Sequence, residues 1–238
     1  MRRLKFVIAI SAVCVAGCGG GGGDGTDQDL AEQTPSKPMI TSFAPVPLAN
    51  DVLPELLLPP ERIDAAVGAA GMIVSSTHTE MSDDSATMEP RECLAVDGAA
   101  QAAVYADSGF TAMHDETLAN GDDFTHFAQQ AVVLFPDADR AKGFFDASAQ
   151  QWPACKHYTH LQSGSLWDVG PIANKDGMLS ATTTQSNAQE GGWACGRALT
   201  VNNNVIVDVN TCSANPAGSA VAIAAEIASR VDSPSSQR

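Results

Sequence analysis

Two apolar stretches separated by three asparagines constrain the fold of this chain more than any other feature. Asn tolerates the positive φ that a type I′ turn needs, so Asn203 and Asn204 predict a two-residue turn between paired strands. In that register Cys195 lies directly opposite Cys212, in a non-hydrogen-bonded pair whose Cα atoms are about 4.5 Å apart. That distance lies at the short end of the disulfide range. The segment therefore predicts a β-hairpin closed by a Cys195–Cys212 disulfide.

The same register separates the residues of the hairpin onto two faces. One face is smooth and suited to packing against a helix, with Ala194, Gly196, Ala198, Thr200, Val205, Val207 and Val209. The other face carries Trp193, Arg197, Leu199, Val201, Ile206, Asp208 and Asn210. On it Arg197 faces Asn210 and lies diagonal to Asp208, within reach of a charge pair. We hold two interpretations open: a structural ion pair, or a polar cluster of Trp193, Arg197, Asp208 and Asn210 that lines a ligand groove.

The first 18 residues indicate export. Basic residues at positions 2, 3 and 5 precede a short apolar run and small residues, the pattern of a secretory signal. Residues 15–18 (Val-Ala-Gly-Cys) resemble the lipobox of bacterial lipoproteins, which implies cleavage after residue 17 and acylation of Cys18. Two or three acyl chains anchor a protein stably. We therefore expect a lipid anchor in the cell membrane, on its extracytoplasmic face; the alternative is an ordinary cleaved signal.

Export makes disulfides the expected state of the remaining cysteines. Four lie in the rest of the chain, and four cysteines allow three pairings. The hairpin register selects Cys195–Cys212, which leaves Cys93–Cys155 as the second bridge. We therefore predict two disulfides.

The charge of the chain excludes one class of partner. It carries 28 acidic and 13 basic side chains, a net charge of −15, and loses three of the cations with residues 1–17. Such a chain repels phosphate backbones, so nucleic acid is not an expected partner. Adhesion to anionic headgroups is also unfavourable, which leaves covalent lipid as the expected membrane link.

The chain divides into a tether and one folded domain. Residues 18–50 are rich in Gly and polar residues and then in Pro, which predicts a disordered tether. We place the domain at 51–232 and a disordered tail at 233–238. Periodicity predicts helices over 61–69, 94–105, 136–151 and 217–231, and strands over 72–77, 110–113, 125–135 and, as two or three short ones, 157–185. This order is typical of an α+β fold with a mainly antiparallel sheet.

The sequence offers little catalytic chemistry. His157 and His160 are the only close histidine pair, and on a strand a spacing of three sends the rings to opposite faces. Acidic pairs such as Asp83 and Asp84 lack the spacing of a calcium loop and fit a solvated turn. We expect no metal, no cofactor and no catalytic residue. A hydrolase is the weaker alternative.

The chain resembles the extracellular sensor domain of mycobacterial PknH-type serine/threonine kinases and the free-standing lipoproteins that share it. The similarity lies in residues 192–199 (Gly-Trp-Ala-Cys-Gly-Arg-Ala-Leu), the Asn-rich turn, residues 205–209, Cys212, and Trp152 followed by Cys155. It covers about 51–232. It implies an antiparallel twisted sheet with helices on one face, a cleft for a ligand, and disulfides that pair first with second and third with fourth cysteine.

These observations lead to one expected function and one alternative. We expect a lipid-anchored extracytoplasmic sensor-like domain that binds a small molecule or an envelope component in its cleft, without catalytic activity. The alternative is an interaction module that docks an envelope protein or a receptor kinase.

Overall fold

The structure, a computed structural model, describes residues 46–232. The predicted signal at 1–17, the predicted lipidation site Cys18, most of the predicted tether and the tail at 233–238 lie outside the described residues. Residues 46–50 are described and contact the hairpin turn. Asn203 Nδ2 donates to Val46 O at 2.7 Å, and Leu48 N donates to Asn204 Oδ1 at 2.8 Å. The folded part therefore begins before Asp51, because the Asn side chains of the turn hold the preceding segment.

Within residues 46–232, ten strands form one sheet in which all strand pairs are antiparallel. The order across the sheet is β1-β3-β4-β10-β9-β8-β6-β5-β2, and β7 pairs with β8. The strands are β1 (Ile73–His78), β2 (Met88–Glu89), β3 (Ala112–Ala119), β4 (His126–Leu134), β5 (His157–His160), β6 (Ser165–Val169), β7 (Ala173–Lys175), β8 (Met178–Gln185), β9 (Ala194–Asn202) and β10 (Val205–Ser213). The α+β class is confirmed.

Helices cover both faces of this sheet. In the same range they are α1 (Leu53–Leu56), α2 (Pro60–Val67), α3 (Leu94–Asp97), α4 (Ala102–Tyr105), α5 (Ala138–Gln151) and α6 (Ser219–Val231). One apolar core joins α1, α2 and α6 to the valine face of the central hairpin, and a second joins α3, α4 and α5 to the opposite face. The expectation of helices on one face is therefore wrong. Both faces of the central strands are apolar enough to need cover.

The hairpin of β9 and β10 has the predicted register. Val205 pairs with Asn202, and Cys212 pairs with Cys195. Asn203 has a positive φ of +50°, but Asn204 is not among the described residues with positive φ, so the turn lacks the second positive φ of the predicted type I′. The predicted smooth face packs against α6, where Val207 and Val209 share a core with Ile223 and other α6 residues.

The structure contains the two disulfides that the sequence predicts. Cys195–Cys212 joins β9 to β10 with a Cα–Cα distance of 4.1 Å. Cys93–Cys155 joins the end of the 3₁₀ turn Arg91–Cys93 to the residue that follows the turn Trp152–Ala154, with a Cα–Cα distance of 5.0 Å. The second bridge ties the segment before α3 to the end of α5.

Three elements differ from the predictions. The helix expected at 94–105 is split into α3 and α4 because Ala100 N donates to Asp208 Oδ2 at 3.0 Å instead of to a helical carbonyl. β3 extends to Ala119, well beyond the strand expected at 110–113, because it pairs along its length with β4. The region 157–185 holds four strands instead of two or three. Among the described residues no helix has the length and apolar character needed to cross a bilayer.

Candidate ligand-binding cleft

A cleft with a volume of about 800 Å³ opens on the face of the sheet that carries the Cys195–Cys212 disulfide. This volume is within the range of sites that bind small molecules. Its lining mixes aromatic, acidic and amide side chains: His78, Glu80, Met81, Ser82, Asp84, Asp97, Gly98, Gln101, Asp115, Thr117, Phe124, Phe127, Gln129, His160, Ser163, Ser165, Trp167, Gln185, Trp193, Cys195, Asn210 and Cys212.

Strands from distant parts of the sheet contribute to this cleft. His78 ends β1, the first strand in the sheet order, and His160 ends β5, the eighth. Both line the same cavity, so the sheet curves around it. The strands between them supply the floor through side chains of one face: Thr117, Gln129, Asn210, Cys195, Gln185 and Trp167.

Aromatic rings stand on two sides of the cleft. Phe124, in the turn between β3 and β4, lies 6.2 Å from Trp193 and 6.3 Å from Phe127, measured between ring centroids. Phe124 is 55% exposed, although it is a large apolar residue. Trp167 lies on the other side, 5.7 Å from the His160 ring. A ligand in the cleft would therefore meet ring faces or edges from both sides.

The charged groups of the lining are acidic. Glu80, Asp84, Asp97 and Asp115 contribute carboxylates, and the part of the chain that the structure describes contributes no Lys or Arg to the lining. Asp115 lies beside His78, with 3.0 Å between its Oδ1 and the histidine Nδ1. Gln129 Nε2 donates to the other oxygen of Asp115. The cleft therefore has a negative potential at neutral pH.

His160 is bonded to a carboxylate of the cleft lining. Its Nε2 lies 2.9 Å from Asp97 Oδ1. That hydrogen bond raises the pKa of His160, burial opposes the rise, and the negative charges of Asp97 and Asp84 add to it. His157 points to a different carboxylate, that of Asp168, at 2.7 Å. The two histidines of β5 thus serve separate contacts.

Asn210 presents an amide oxygen at the floor of the cleft. Asn210 is 8% exposed, and its Nδ2 donates to Asp97 O at 3.0 Å. Among the described residues, the one group in hydrogen-bond geometry with its Oδ1 is Cys212 Sγ at 3.8 Å. That sulfur is bonded to Cys195 and carries no hydrogen. Within residues 46–232, Asn210 Oδ1 is therefore an acceptor without a donor.

Arg197 and Asp208 lie on the same sheet face as the floor residues Cys195 and Asn210 but are absent from the lining of the cleft. Their side chains are 1% and 3% exposed, and Arg197 Nη2 lies 2.7 Å from Asp208 Oδ1. The same Nη2 directs a proton to Ala95 O at 3.0 Å, so the contact is an ion pair rather than a straight hydrogen bond. The Arg197 guanidinium also stacks over Trp152, 5.2 Å from the ring centroid. This geometry favours the structural interpretation of the pair.

Tyr105 completes this buried network. Its hydroxyl donates to Asp208 Oδ2 at 3.0 Å. Burial, and then the negative charge of Asp208, raises the pKa of Tyr105 well above its ordinary value, so the hydroxyl stays protonated and keeps donating.

Of the four residues predicted for the ligand site, the structure therefore places only Trp193 and Asn210 on the cleft. Most of the other lining residues come from segments whose sequence does not indicate a ligand site. His78 is an isolated histidine in the sequence, and Asp84 has the composition of a solvated turn. Only the long-range pairing of β1 with β3 and of β2 with β5 brings these segments to the cleft. The exposed Phe124, next to an acidic pair in a turn, was the one local signal available.

Comparison with known proteins defines the class of this domain. A family model described as "PknH-like extracellular domain" matches residues 48–230. The chain is 33% identical over 193 residues to serine/threonine-protein kinase PknH of Mycobacterium tuberculosis (strain H37Rv) and of Mycobacterium bovis, covering 79% of this chain and 30% and 32% of those proteins. The chain spans about a third of the length of these curated relatives.

A solved structure shares the fold. The crystal structure of the extracellular domain of PknH from Mycobacterium tuberculosis superposes with a TM-score of 0.73 at 33% identity, covering 79% of this chain and 98% of that chain. The chain belongs to the PknH-like extracellular domain family. The family expected from the hairpin and its cysteines is thereby confirmed.

Proposed function

We propose that this chain is an extracytoplasmic sensor-like domain that binds a small molecule or a cell-envelope component in the cleft. The observation that carries the proposal is the 800 Å³ cleft itself, in which two aromatic groups, four carboxylates and an unpartnered amide oxygen converge. A cavity of this kind, mostly preformed and with a few convergent polar groups, is typical of small-molecule sites.

We also propose that the domain has no catalytic activity. Ser163 and Ser165, the hydroxyls beside His160 in the lining, bond to each other at 3.0 Å, and Trp167 Nε1 donates to Ser165 Oγ at 2.9 Å. His160 is bonded instead to Asp97. Activation of a serine needs a base within hydrogen-bond reach of its hydroxyl. The observed bonds support a binding role over a hydrolytic one.

The proposed location is the extracytoplasmic face of the cell membrane, held by lipid on Cys18. The support is the Val-Ala-Gly-Cys sequence at residues 15–18 behind a basic and apolar leader. In cells fed a radiolabelled fatty acid, the wild-type chain should carry label and sediment with membranes. Cys18→Ser should lose both, and a labelled Cys18→Ser protein would contradict the proposal.

Native mass spectrometry tests the binding role. The full chain, incubated with an extract of the cell envelope, should gain a discrete small-molecule adduct. Thr117→Trp places a bulky side chain on the cleft floor and should abolish the adduct. Ala225→Trp places the same bulk on the exposed side of α6 and serves as the control. An adduct that survives Thr117→Trp unchanged, or no adduct at all, would contradict the proposal.

Docking of an envelope protein or receptor kinase is the second candidate, and β1 favours it. β1 is an edge strand, and its Ile73 and Val74 are 58% and 39% exposed. Exposed edge strands can pair with a strand of another protein. Crosslinking in cells through residue 73 should recover one stable protein partner if this candidate is correct.

A further inference from the structure

The chemistry of the cleft lining selects one class of ligand. Building on the proposed function, we propose that the cleft binds a small organic cation, a molecule with an ammonium or guanidinium group on an apolar or aromatic body. Three features of the lining support this class: its charge, its aromatic rings and its unpartnered acceptor.

The charge of the lining favours a cation. Glu80, Asp84, Asp97 and Asp115 face the cavity, and none of the lining residues is Lys or Arg within the range 46–232. Glu80 is exposed and, among the same residues, forms no ion pair. The buried cation Arg197 is outside the lining and is neutralised by Asp208 at 2.7 Å. An anionic ligand would meet net repulsion here, because the four carboxylates of the lining outnumber its two histidines, His78 and His160.

The aromatic rings supply the second contact that such a ligand needs. Phe124 and Trp193 stack at 6.2 Å with an interplanar angle of 23°, and both line the cleft. Trp167 lines the opposite side. A cation over a Trp or Phe face within about 6 Å of the centroid is attracted by the ring quadrupole, most strongly for Trp. Rings combined with carboxylates are the chemistry by which proteins recognise organic ammonium groups.

The Phe124 backbone shows that this ring is held in place against local preference. Its φ of 39° and ψ of 44° lie in the left-handed region, which bulky residues rarely adopt. Its side chain is nevertheless exposed at the cleft rather than buried. Unfavourable backbone conformations cluster at ligand sites, so the conformation of Phe124 supports a role of its ring in binding.

Asn210 Oδ1 marks where a hydrogen-bond donor of the ligand would lie. Residue 210 is 92% removed from solvent, lines the cleft, and has its Nδ2 already bonded to Asp97 O. The remaining oxygen can only accept, and within residues 46–232 the one group in hydrogen-bond geometry with it is the Cys212 disulfide sulfur, which has no hydrogen to donate. A buried acceptor without a donor is costly, and an N–H of a ligand cation would satisfy it.

Fluorescence titration of the full chain with its disulfides intact tests this class. Two of the three tryptophans, Trp167 and Trp193, line the cleft and report on its occupation. The probe is benzyltrimethylammonium, with benzyl alcohol as the neutral analogue and benzylphosphonate as the anionic one. We expect saturable quenching by the cation with a Kd of about 1 mM or tighter, at least about tenfold weaker binding of the alcohol, and none of the phosphonate.

Three variants locate the binding. Glu80→Gln and Asp84→Asn each remove one carboxylate from an exposed position. Each should lower the affinity for the cation about three- to fivefold. Glu61→Gln removes the same charge from the exposed surface of α2, on the opposite side of the sheet, and should leave the affinity unchanged.

The outcomes separate this inference from the proposed function. Equal or tighter binding of benzyl alcohol or benzylphosphonate, equal weakening by Glu61→Gln, or no binding of any probe would overturn the cation class. The cleft as a ligand site would then still be decided by the envelope adduct and its loss in Thr117→Trp. If that adduct forms and the cation class fails, only the ligand chemistry is wrong.

Discussion

Arg197 on β9 and Asp208 on β10 form an ion pair, 2.7 Å between Nη2 and Oδ1, that is shut off from solvent. Asp208 also accepts from Tyr105 OH and Ala100 N, while Arg197 donates to Ala95 O. One pair of charges thus ties both α3 and α4 to the centre of the sheet. It fixes the segment 97–101, whose residues form one wall of the cleft.

Breaking this pair should be costly. Arg197→Met keeps much of the side-chain volume but leaves the Asp208 carboxylate buried without a cation. We expect the free energy of unfolding to fall by about 3–5 kcal/mol, the usual loss when one partner of a buried pair is removed. Urea denaturation followed by circular dichroism measures this change.

An exposed pair provides the control for that experiment. Lys142 and Asp146 lie four residues apart on α5, and their side chains are 64% and 49% exposed. Lys142→Met should change the free energy of unfolding by less than about 1 kcal/mol. If Arg197→Met has an equally small effect, the buried pair does not hold the cleft wall as described.

The disulfides should contribute unequally to stability. Cys93–Cys155 closes a separation of 62 residues and Cys195–Cys212 one of 17. On the chain-entropy model the longer loop is worth about 4 kcal/mol and the shorter about 3 kcal/mol. The double variants Cys93→Ala/Cys155→Ala and Cys195→Ala/Cys212→Ala should lose stability in that order in oxidising buffer. Denaturation curves that match the wild type would show that the bridges are absent from the native protein.

The His160–Asp97 contact should make stability depend on pH. Because Asp97 raises the pKa of His160 above the ordinary histidine value of about 6.5, the folded state favours the protonated ring. The contact therefore stabilises the fold fully below about pH 6.5, and this stabilisation is lost as the pH rises through the raised pKa.

Comparison with His160→Gln isolates that effect. The difference in free energy of unfolding between wild type and His160→Gln should shrink between about pH 5.5 and pH 8.5. The protonated ring also offsets one carboxylate, so we expect benzyltrimethylammonium to bind more tightly at the upper pH. A difference that stays constant or grows with pH would contradict the assignment.

Substitution of Phe124 should lower ligand affinity without lowering the stability of the fold. Phe124→Gly removes an unfavourable left-handed conformation worth about 1–3 kcal/mol and also removes ring contacts worth about 1 kcal/mol. The free energy of unfolding should therefore stay equal to the wild type or rise. Affinity for benzyltrimethylammonium should nevertheless fall. A variant that is destabilised by more than about 1 kcal/mol and binds normally would mean that the ring serves the fold and not the ligand.

The hairpin of β9 and β10 could be predicted in atomic register because its information is local. Turn chemistry at Asn203 and Asn204 fixes the pairing, and the pairing fixes both the disulfide and the two faces. The family followed from the same segment. The two faces could be sorted, and α6 covers the smooth face as expected, but the cover of the other face by α3, α4 and α5 could not be predicted, since it depends on where distant segments pack.

The cleft was predictable only in part for the same physical reason. The sequence predicts Arg197 and Asp208 as polar residues on a sheet face, but in the structure α3, α4 and Trp152 bury them. His78 and His160 are 82 positions apart in the sequence. They line the same cleft only because the order of the strands brings the ends of β1 and β5 to it. The break between α3 and α4 likewise depends on Asp208, a residue far along the chain that accepts the Ala100 N–H.

Hydrogen–deuterium exchange of the full chain, with and without envelope extract, tests most directly whether the cleft is the binding site. Bound ligand should slow backbone exchange in three segments that line the cleft, 78–84, 160–167 and 193–196. Exchange in α6, on the opposite face, should not change. Unchanged exchange in all three cleft segments, or protection confined to α6, would contradict the account.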